Sequence, residues 1–209
     1  MRTLVIDTAT KACSVALYDG DLVMASHFEV IGRGHAERLL PLIADLPERG
    51  KAERIVVNIG PGSFTGIRVG VAAARALGFA WGVPVSGYGC LTLVAAMANI
   101  QSETPHAIDV VMSGGHGEYF FESFDESAAS QGAAISLAPD DAAQRSNAAI
   151  VAGDAAVAVA LVANRGRGVA IDLLPDAAHW HLIATLPALS ASPVYGRAPD
   201  AKLPKGKAA

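Results

Sequence analysis

Hydrophobic positions alternate through the first thirty residues and then change to a three- and four-residue spacing. Residues 3–7 are a short apolar run, and in residues 13–18 Cys13, Val15 and Leu17 alternate with Ser14, Ala16 and Tyr18. Asp19-Gly20 supplies a hairpin turn, because glycine takes positive φ at little cost, and residues 22–30 form the return strand. Three consecutive strands predict a meander. Ala36, Leu39, Leu40, Ile43 and Leu46 then recur at helical spacing, and Pro47 marks the helix end. A strand over 54–60, a helix over 67–81, a short buried strand over 84–86 and a helix over 91–99 follow.

The second half repeats the order more weakly. Strands are predicted over 107–112 and 118–124, joined by the tight Ser113-Gly114-Gly115-His116-Gly117. Residues 127–149 are rich in Ala, Ser, Gln and Asp and read as largely irregular. A strand over 150–152, a helix over 154–164 capped by Asp154, a strand over 169–173 and a helix over 176–186 complete the chain. This order predicts two related α/β lobes, 1–100 and a smaller 101–192, with a tail over 193–209 and a boundary near 99–105.

Composition narrows the function classes. With 209 residues, 52% hydrophobic and 17% charged, the chain can bury a core. Its mean hydropathy is positive, yet no apolar run reaches the roughly 18–20 residues of a membrane span; the longest, 155–163, is alanine- and valine-rich. Only three strongly apolar residues precede Asp7, which does not make the h-region of a signal peptide. Cys13 and Cys90 form no disulfide framework or metal-finger spacing, so the expected location is cytoplasmic, with no membrane partner. A net charge of −4 argues against gripping RNA unaided, and Lys202, Lys205 and Lys207 read as a solvated tail.

The most informative segment is Gly60-Pro-Gly-Ser-Phe-Thr-Gly-Ile-Arg-Val-Gly70, a tight strand-to-helix turn in which Ser63 or Thr65 can cap the helix. It lacks the Gly-Lys-[Ser/Thr] of a phosphate loop and the spacing of a dinucleotide fingerprint. Gly66, Gly70, Ala74 and Gly78 fall on one helix face. Each glycine inside a helix costs roughly 1 kcal/mol relative to alanine, so the stripe implies close approach of another backbone. Arg68 and Arg75 exclude a membrane-span dimer. Packing on the chain's own sheet and packing on a partner remain equally open from this pattern alone.

The Gly60–Gly70 block resembles the signature of the TsaB (YeaZ) family. Ile6-Asp7-Thr8-Ala9-Thr10 with Cys13-Ser14-Val15-Ala16-Leu17 resembles that family's opening hairpin, and Gly34-His35-Ala36-Glu37-Arg38-Leu39-Leu40-Pro41 its first helix. Pro193-Val194-Tyr195-Gly196-Arg197, with Lys202, resembles its C-terminal motif. The resemblance implies a two-lobed α/β fold of the actin, Hsp70 and sugar-kinase (ASKHA) type, each lobe a mixed sheet with flanking helices. It also implies a non-catalytic partner subunit in making N6-threonylcarbamoyladenosine beside the tRNA anticodon. Such a subunit binds a TsaD-like catalytic subunit, works with a TsaE-like ATPase, meets tRNA indirectly and forms a homodimer in isolation. The implied interface is a bundle of the first two helices, with His35, Arg38, Leu39, Leu42, Gly66, Arg68, Gly70, Ala74 and Gly78 as candidates.

Catalytic alternatives have thinner support. Catalytic relatives place two metal-binding histidines four apart on the first helix; here His35 is followed by Leu39, so it reads as a helix-start or interface histidine. His179 and His181, two apart, do not share a helix face. Asp7-Thr8 and Ser113-Gly114-Gly115 occupy turns where superfamily ATPases bind phosphate, and are the candidate nucleotide residues if the chain is an autonomous ATPase. No cofactor is required by the main reading, with ATP or ADP possible at the complex interface. The family pattern shows Asp-Ala-Arg-x-Gly-Glu-Val-Tyr near the second turn, of which Gly117 and Glu118 remain. Peptidase chemistry lacks support: residue 65 is threonine, so Ser63 is not a nucleophile elbow.

Overall fold

A computed structural model describes residues 1–101 and 104–196. Arg197, Lys202, Lys205 and Lys207 lie outside the described residues.

The meander forms as expected: β1 (Arg2–Asp7), β2 (Ala12–Asp19) and β3 (Leu22–Val30) pair antiparallel in sequence. Helix α1 (His35–Asp45), strand β4 (Arg54–Asn58), helix α2 (Phe64–Trp81) and strand β5 (Val85–Tyr88) follow, with β4 and β5 added in parallel. After α3 (Cys90–Asn99) the same order returns: β6 (Ile108–Ser113), β7 (Tyr119–Phe124), β8 (Ile135–Leu137), α4 (Pro139–Arg145), β9 (Ile150–Gly153), α5 (Ala155–Arg165) and β10 (Val169–Asp172). A 3₁₀ helix, Ala177–Ile183, and β11 (Leu189–Ser190) come last.

The sheets are ordered β11-β5-β4-β1-β2-β3 and β10-β9-β6-β7-β8. Apart from β11, the second order repeats the first strand for strand, which is the expected two-lobed α/β architecture. Several elements of the second half, the short β11 among them, differ from the sequence reading. Residues 127–149 contain β8 and α4, each too short to leave a periodic signature; α4 is seven residues, started by Pro139 and favoured at its N-terminus by Asp140 and Asp141. The helix expected over 176–186 is a 3₁₀ helix over Ala177–Ile183, capped by Asp176, whose carboxylate accepts from Ala178 N at 2.9 Å.

Strand alternation divides the core. Leu4, Ile6, Val15, Leu17, Ile55 and Val57 pack against Leu39, Leu42 and Ile43 of α1 and Ile67, Val71 and Ala74 of α2. On the opposite face Val5, Ala16, Tyr18 and Val56 meet α3 and the 3₁₀ helix, where Val110 and Met112 of the second sheet join them. Each such aliphatic side chain contributes about 1.5–3 kcal/mol by leaving water. The Tyr18 hydroxyl donates to Ala177 O at 3.0 Å, and its ring meets Trp180 edge-on at 5.6 Å, so the last helix is fastened to the first hairpin. The far face of the second sheet packs Val111, Phe121 and Val151 under Val157 and Leu161 of α5. No helix among the described residues is long and apolar enough to cross a membrane.

Candidate functional site

The ends of β1 and β6 open onto a shared cleft of about 950 Å³. In duplicated α/β sheets the carboxyl ends of the parallel strands make such a crevice. Ala9, Thr10 and Lys11 line it from the β1–β2 turn, Ser63, Phe64 and Arg68 from the start of α2, Ser113 to His116 from the loop after β6, and Asp154 from the start of α5. Ser63 caps α2, its hydroxyl accepting from Gly66 N at 3.2 Å, and Asp154 caps α5, accepting from Ala156 N at 3.2 Å.

Of the candidate nucleotide residues, Ser113, Gly114 and Gly115 line the cleft. Asp7 and Thr8 do not: they are buried beneath it, which corrects the sequence expectation. Asp7 Oδ2 accepts from Asn58 Nδ2 at 2.6 Å and from the Tyr88 hydroxyl at 2.8 Å, while Oδ1 accepts from Ala9 N at 3.1 Å. Burial outweighs these donors and pushes its pKa up to about 7. Asn58 Oδ1 in turn accepts from Gly60 N at 2.8 Å, so Asp7 ties the first turn to the glycine-rich loop. The Thr8 hydroxyl donates to Gly66 O at 2.7 Å and pins the start of α2. Both residues serve internal bonds.

Two cleft residues escaped the sequence reading as a pair. Lys11 Nζ lies 3.1 Å from Asp154 Oδ1, and the Ser113 hydroxyl donates to Asp154 Oδ2 at 3.2 Å. Asp154 was legible only as a cap; the pairing with Lys11 spans 143 residues and exists only through the duplicated topology. The C-terminal motif closes the cleft mouth. Val194 N donates to Ile59 O at 2.8 Å, and Arg68 Nε donates to the Tyr195 hydroxyl at 2.9 Å. The Arg68 guanidinium sits 3.6 Å from the centre of the Phe64 ring, whose centroid is 5.1 Å from that of Tyr195.

The small-residue stripe of α2 faces its own sheet. A Cβ at Gly66 would lie 2.0 Å from Thr8 O, one at Gly70 2.4 Å from Thr8 Oγ1, and one at Gly78 2.3 Å from Val85 Cγ2. Ala74, Leu39 and Leu42 are likewise in the core. His35 is buried at the start of α1, its Nε2 3.1 Å from Ala12 O, and acts as a helix-start histidine. These seven interface candidates are therefore corrected: close helix-to-strand approach within one copy accounts for the glycines. Arg38 and Arg68 do reach the surface, Arg38 gripping Glu29 with Nε and a terminal nitrogen at 2.6 and 2.5 Å. The outward face of α2 carries Ala72, Arg75, Ala76 and Phe79, the last 93% exposed, and neighbouring α1 exposes Leu40. The four-residue spacing of Ala72 and Ala76 is the sequence signal for this face, opposite the glycine stripe. Among the described residues no three His, Cys, Asp or Glu side chains converge as metal ligands.

Residues 27–179 match the family model described as "TsaD: tRNA N6-adenosine threonylcarbamoyltransferase". The Escherichia coli (strain K12) protein described as "tRNA threonylcarbamoyladenosine biosynthesis protein TsaB" is 41% identical over 100 residues, 46% of this chain and 43% of that one. The match thus spans less than half the length of that curated relative. Among solved structures, YeaZ from Pseudomonas aeruginosa superposes with a TM-score of 0.77 at 29% identity, covering 93% of this chain and 99% of that chain. The ethanolamine utilization protein EutJ from Carboxydothermus hydrogenoformans shares the fold, with a TM-score of 0.51 at 9% identity over 87% of this chain and 89% of that one. The duplicated fold, the Gly60–Gly70 block and these likenesses agree: the chain belongs to the TsaB (YeaZ) family, within the wider group that the TsaD model describes.

Proposed function

We propose that this chain is a non-catalytic partner subunit in tRNA threonylcarbamoyladenosine biosynthesis, docking on a TsaD-like catalytic subunit through the outward faces of α1 and α2. The relative's name supports the pathway, and the observation that carries the docking mode is the exposed outer face of α2, where Phe79 is 93% exposed. The TsaD family model spans both helices, so a catalytic relative offers an equivalent pair, and two related subunits can meet face to face in a pseudo-symmetric bundle. Small side chains at Ala72 and Ala76 allow close helix approach, with Arg75 and Phe79 beside them. A TsaE-like ATPase and tRNA join through the catalytic subunit, and a cytoplasmic setting goes with that role.

An autonomous ATPase is less well supported. Asp7, its candidate phosphate-site acid, is held by three internal donors below the cleft, and Lys11 is already paired with Asp154.

The experiment is a titration of a TsaD-like subunit with the wild-type chain, Phe79→Glu and Ala76→Arg, alongside reconstitution of tRNA modification. Both variants should fold normally, lose binding by at least about tenfold, which is about 1.4 kcal/mol, and fail to restore modification. Undiminished binding by both would remove the proposed interface. Micromolar ATP binding by the isolated chain would favour the ATPase.

A further inference from the structure

The cleft has two unlike ends. At one end Lys11 and Asp154 neutralise each other at 3.1 Å, and the Ser113 hydroxyl donates to the second carboxylate oxygen. At the mouth, Arg68 belongs to no ion pair among the described residues. Its guanidinium lies 3.6 Å from the centre of the Phe64 ring and 5.5 Å from that of Tyr195. Its Nε donates to the Tyr195 hydroxyl at 2.9 Å, and its two terminal nitrogens have no hydrogen-bond partner among the described residues. The edge they form matches the two oxygens of a carboxylate. Ring contacts and the Tyr195 bond hold that edge in place, so little rotamer freedom is left to lose on binding. An apolar wall joins the two ends. Met112, next to Ser113, pairs across the ladder with Phe120, and a Cβ at Gly196 would lie 2.6 Å from the Phe120 ring. Both side chains are buried and line the cleft.

We propose that the cleft binds a small amphipathic carboxylic acid, its carboxylate on the free edge of Arg68 and its apolar body along Met112 and Phe120. The volume of about 950 Å³ suits a small organic molecule. Charge selects the class. Lys11, Arg68 and Asp154 are the lining side chains with full charge, two cations against one carboxylate, which leaves a single net positive charge for the ligand to balance. A monoanion does so. A nucleoside triphosphate brings several negative charges and would leave most of them unmatched in a largely apolar cleft. Lys11 is not the acid's partner, since drawing it away would leave the buried Asp154 carboxylate without its cation. The site goes beyond the docking on a catalytic subunit and does not depend on it. Ala76 and Phe79 lie about two and three helical turns further along α2.

NMR titration of the chain alone tests the proposal, read from the amide shifts of Ser113, Phe120 and Tyr195. The probes are phenylbutyrate, octanoate and indolepropionate, with phenylbutyramide as the uncharged counterpart and phenyl phosphate and magnesium ATP as the competing anions. At least one acid should bind with a Kd of about 1 mM or tighter. The amide should bind at least about tenfold more weakly than phenylbutyrate, and neither phosphate compound more tightly than the best acid. Arg68→Gln should weaken acid binding at least about tenfold; Arg68→Lys, which keeps the charge and loses the fork, should restore only part of it. Gly115→Leu fills the cleft from the second lobe, at a position where a Cβ meets nothing within 4 Å, and should abolish binding at unchanged thermal stability. No shift with any of the three acids up to about 10 mM would overturn the proposal. So would an amide as tight as its acid, undiminished binding by Arg68→Gln, or a phosphate compound that outbinds every acid. No catalytic subunit is present in this titration, so its failure leaves the docking reading standing, and the failure of docking leaves it unaffected.

Discussion

Alanine at Gly66 or Gly70 tests whether the small-residue stripe is sealed against β1. At Gly70 the new Cβ would stand 2.4 Å from Thr8 Oγ1 and 3.4 Å from Val57 Cγ2. The hydroxyl can rotate away, but its buried bond to Gly66 O is then lost, at about 1–3 kcal/mol. Helix propensity returns about 1 kcal/mol, so the net cost is about 0–2 kcal/mol. At Gly66 the obstacle is the Thr8 carbonyl oxygen at 2.0 Å, which no rotamer moves. Helix α2 must back away from β1, loosening Ile67, Val71 and Ala74, and the cost rises to about 3 kcal/mol or more. Urea unfolding followed by circular dichroism should give unchanged m-values, with the midpoint lowered most for Gly66→Ala. Ala76→Gly on the outer face is the reference, losing about 1 kcal/mol of propensity alone. A Gly66→Ala protein as stable as wild type, or more stable than Ala76→Gly, would refute the packing argument. The same geometry makes a charged residue at Gly70 a folding defect and not a probe of partner binding.

The buried Asp7 carboxyl should leave a pH signature. Its pKa rises from 3.8 to about 7 on folding, so the folded state binds the proton more tightly between those values. Stability should fall as pH rises through that window, level off above it, and total about 4 kcal/mol at about 1.4 kcal/mol per pH unit. Urea melts of Asp7→Asn across the same range should lose this slope. Asp154→Ala should cost about 1–2 kcal/mol by removing a helix cap along with the Lys11 pair, and Lys11→Ala no more than about 0.5 kcal/mol because that pair is half-exposed; thermal or urea melts check the order. Tyr195→Ala removes the Arg68 hydrogen bond and the Phe64 ring contact, so exchange of the Val194 N–H should speed up roughly tenfold while β1 amides are unaffected.

The elements of the first lobe were legible because long periodic runs fix them. Alternation through 13–18 placed β2 and also sorted its side chains between two cores, and Asp19-Gly20 set the hairpin, with Gly20 at φ +58°. The second lobe was only half legible. In β8, Ile135 and Leu137 offer a single alternation, and α4 has two turns, so the neighbours that bury them are what make them elements. The candidate site divided in the same way. The cleft loops at Ser113 and Ser63 could be placed from their turns, whereas the Lys11–Asp154 pair, the Tyr195 closure and the inward direction of the α2 glycines could not.

By itself the sequence determined the order of strands and helices, the duplicated plan and the family block at Gly60–Gly70, because local spacing and turn chemistry act over a few residues at a time. It also determined that one helix face must lie very close to another backbone. Tertiary structure alone decided which backbone that is. Gly66 and Gly70 give way to Thr8, just past the end of β1 and about sixty residues earlier, and no periodicity within α2 encodes what lies across from it. That choice turned Ala72, Ala76 and Phe79 outward, and the surface they form exists only once the helix is seated on its own sheet.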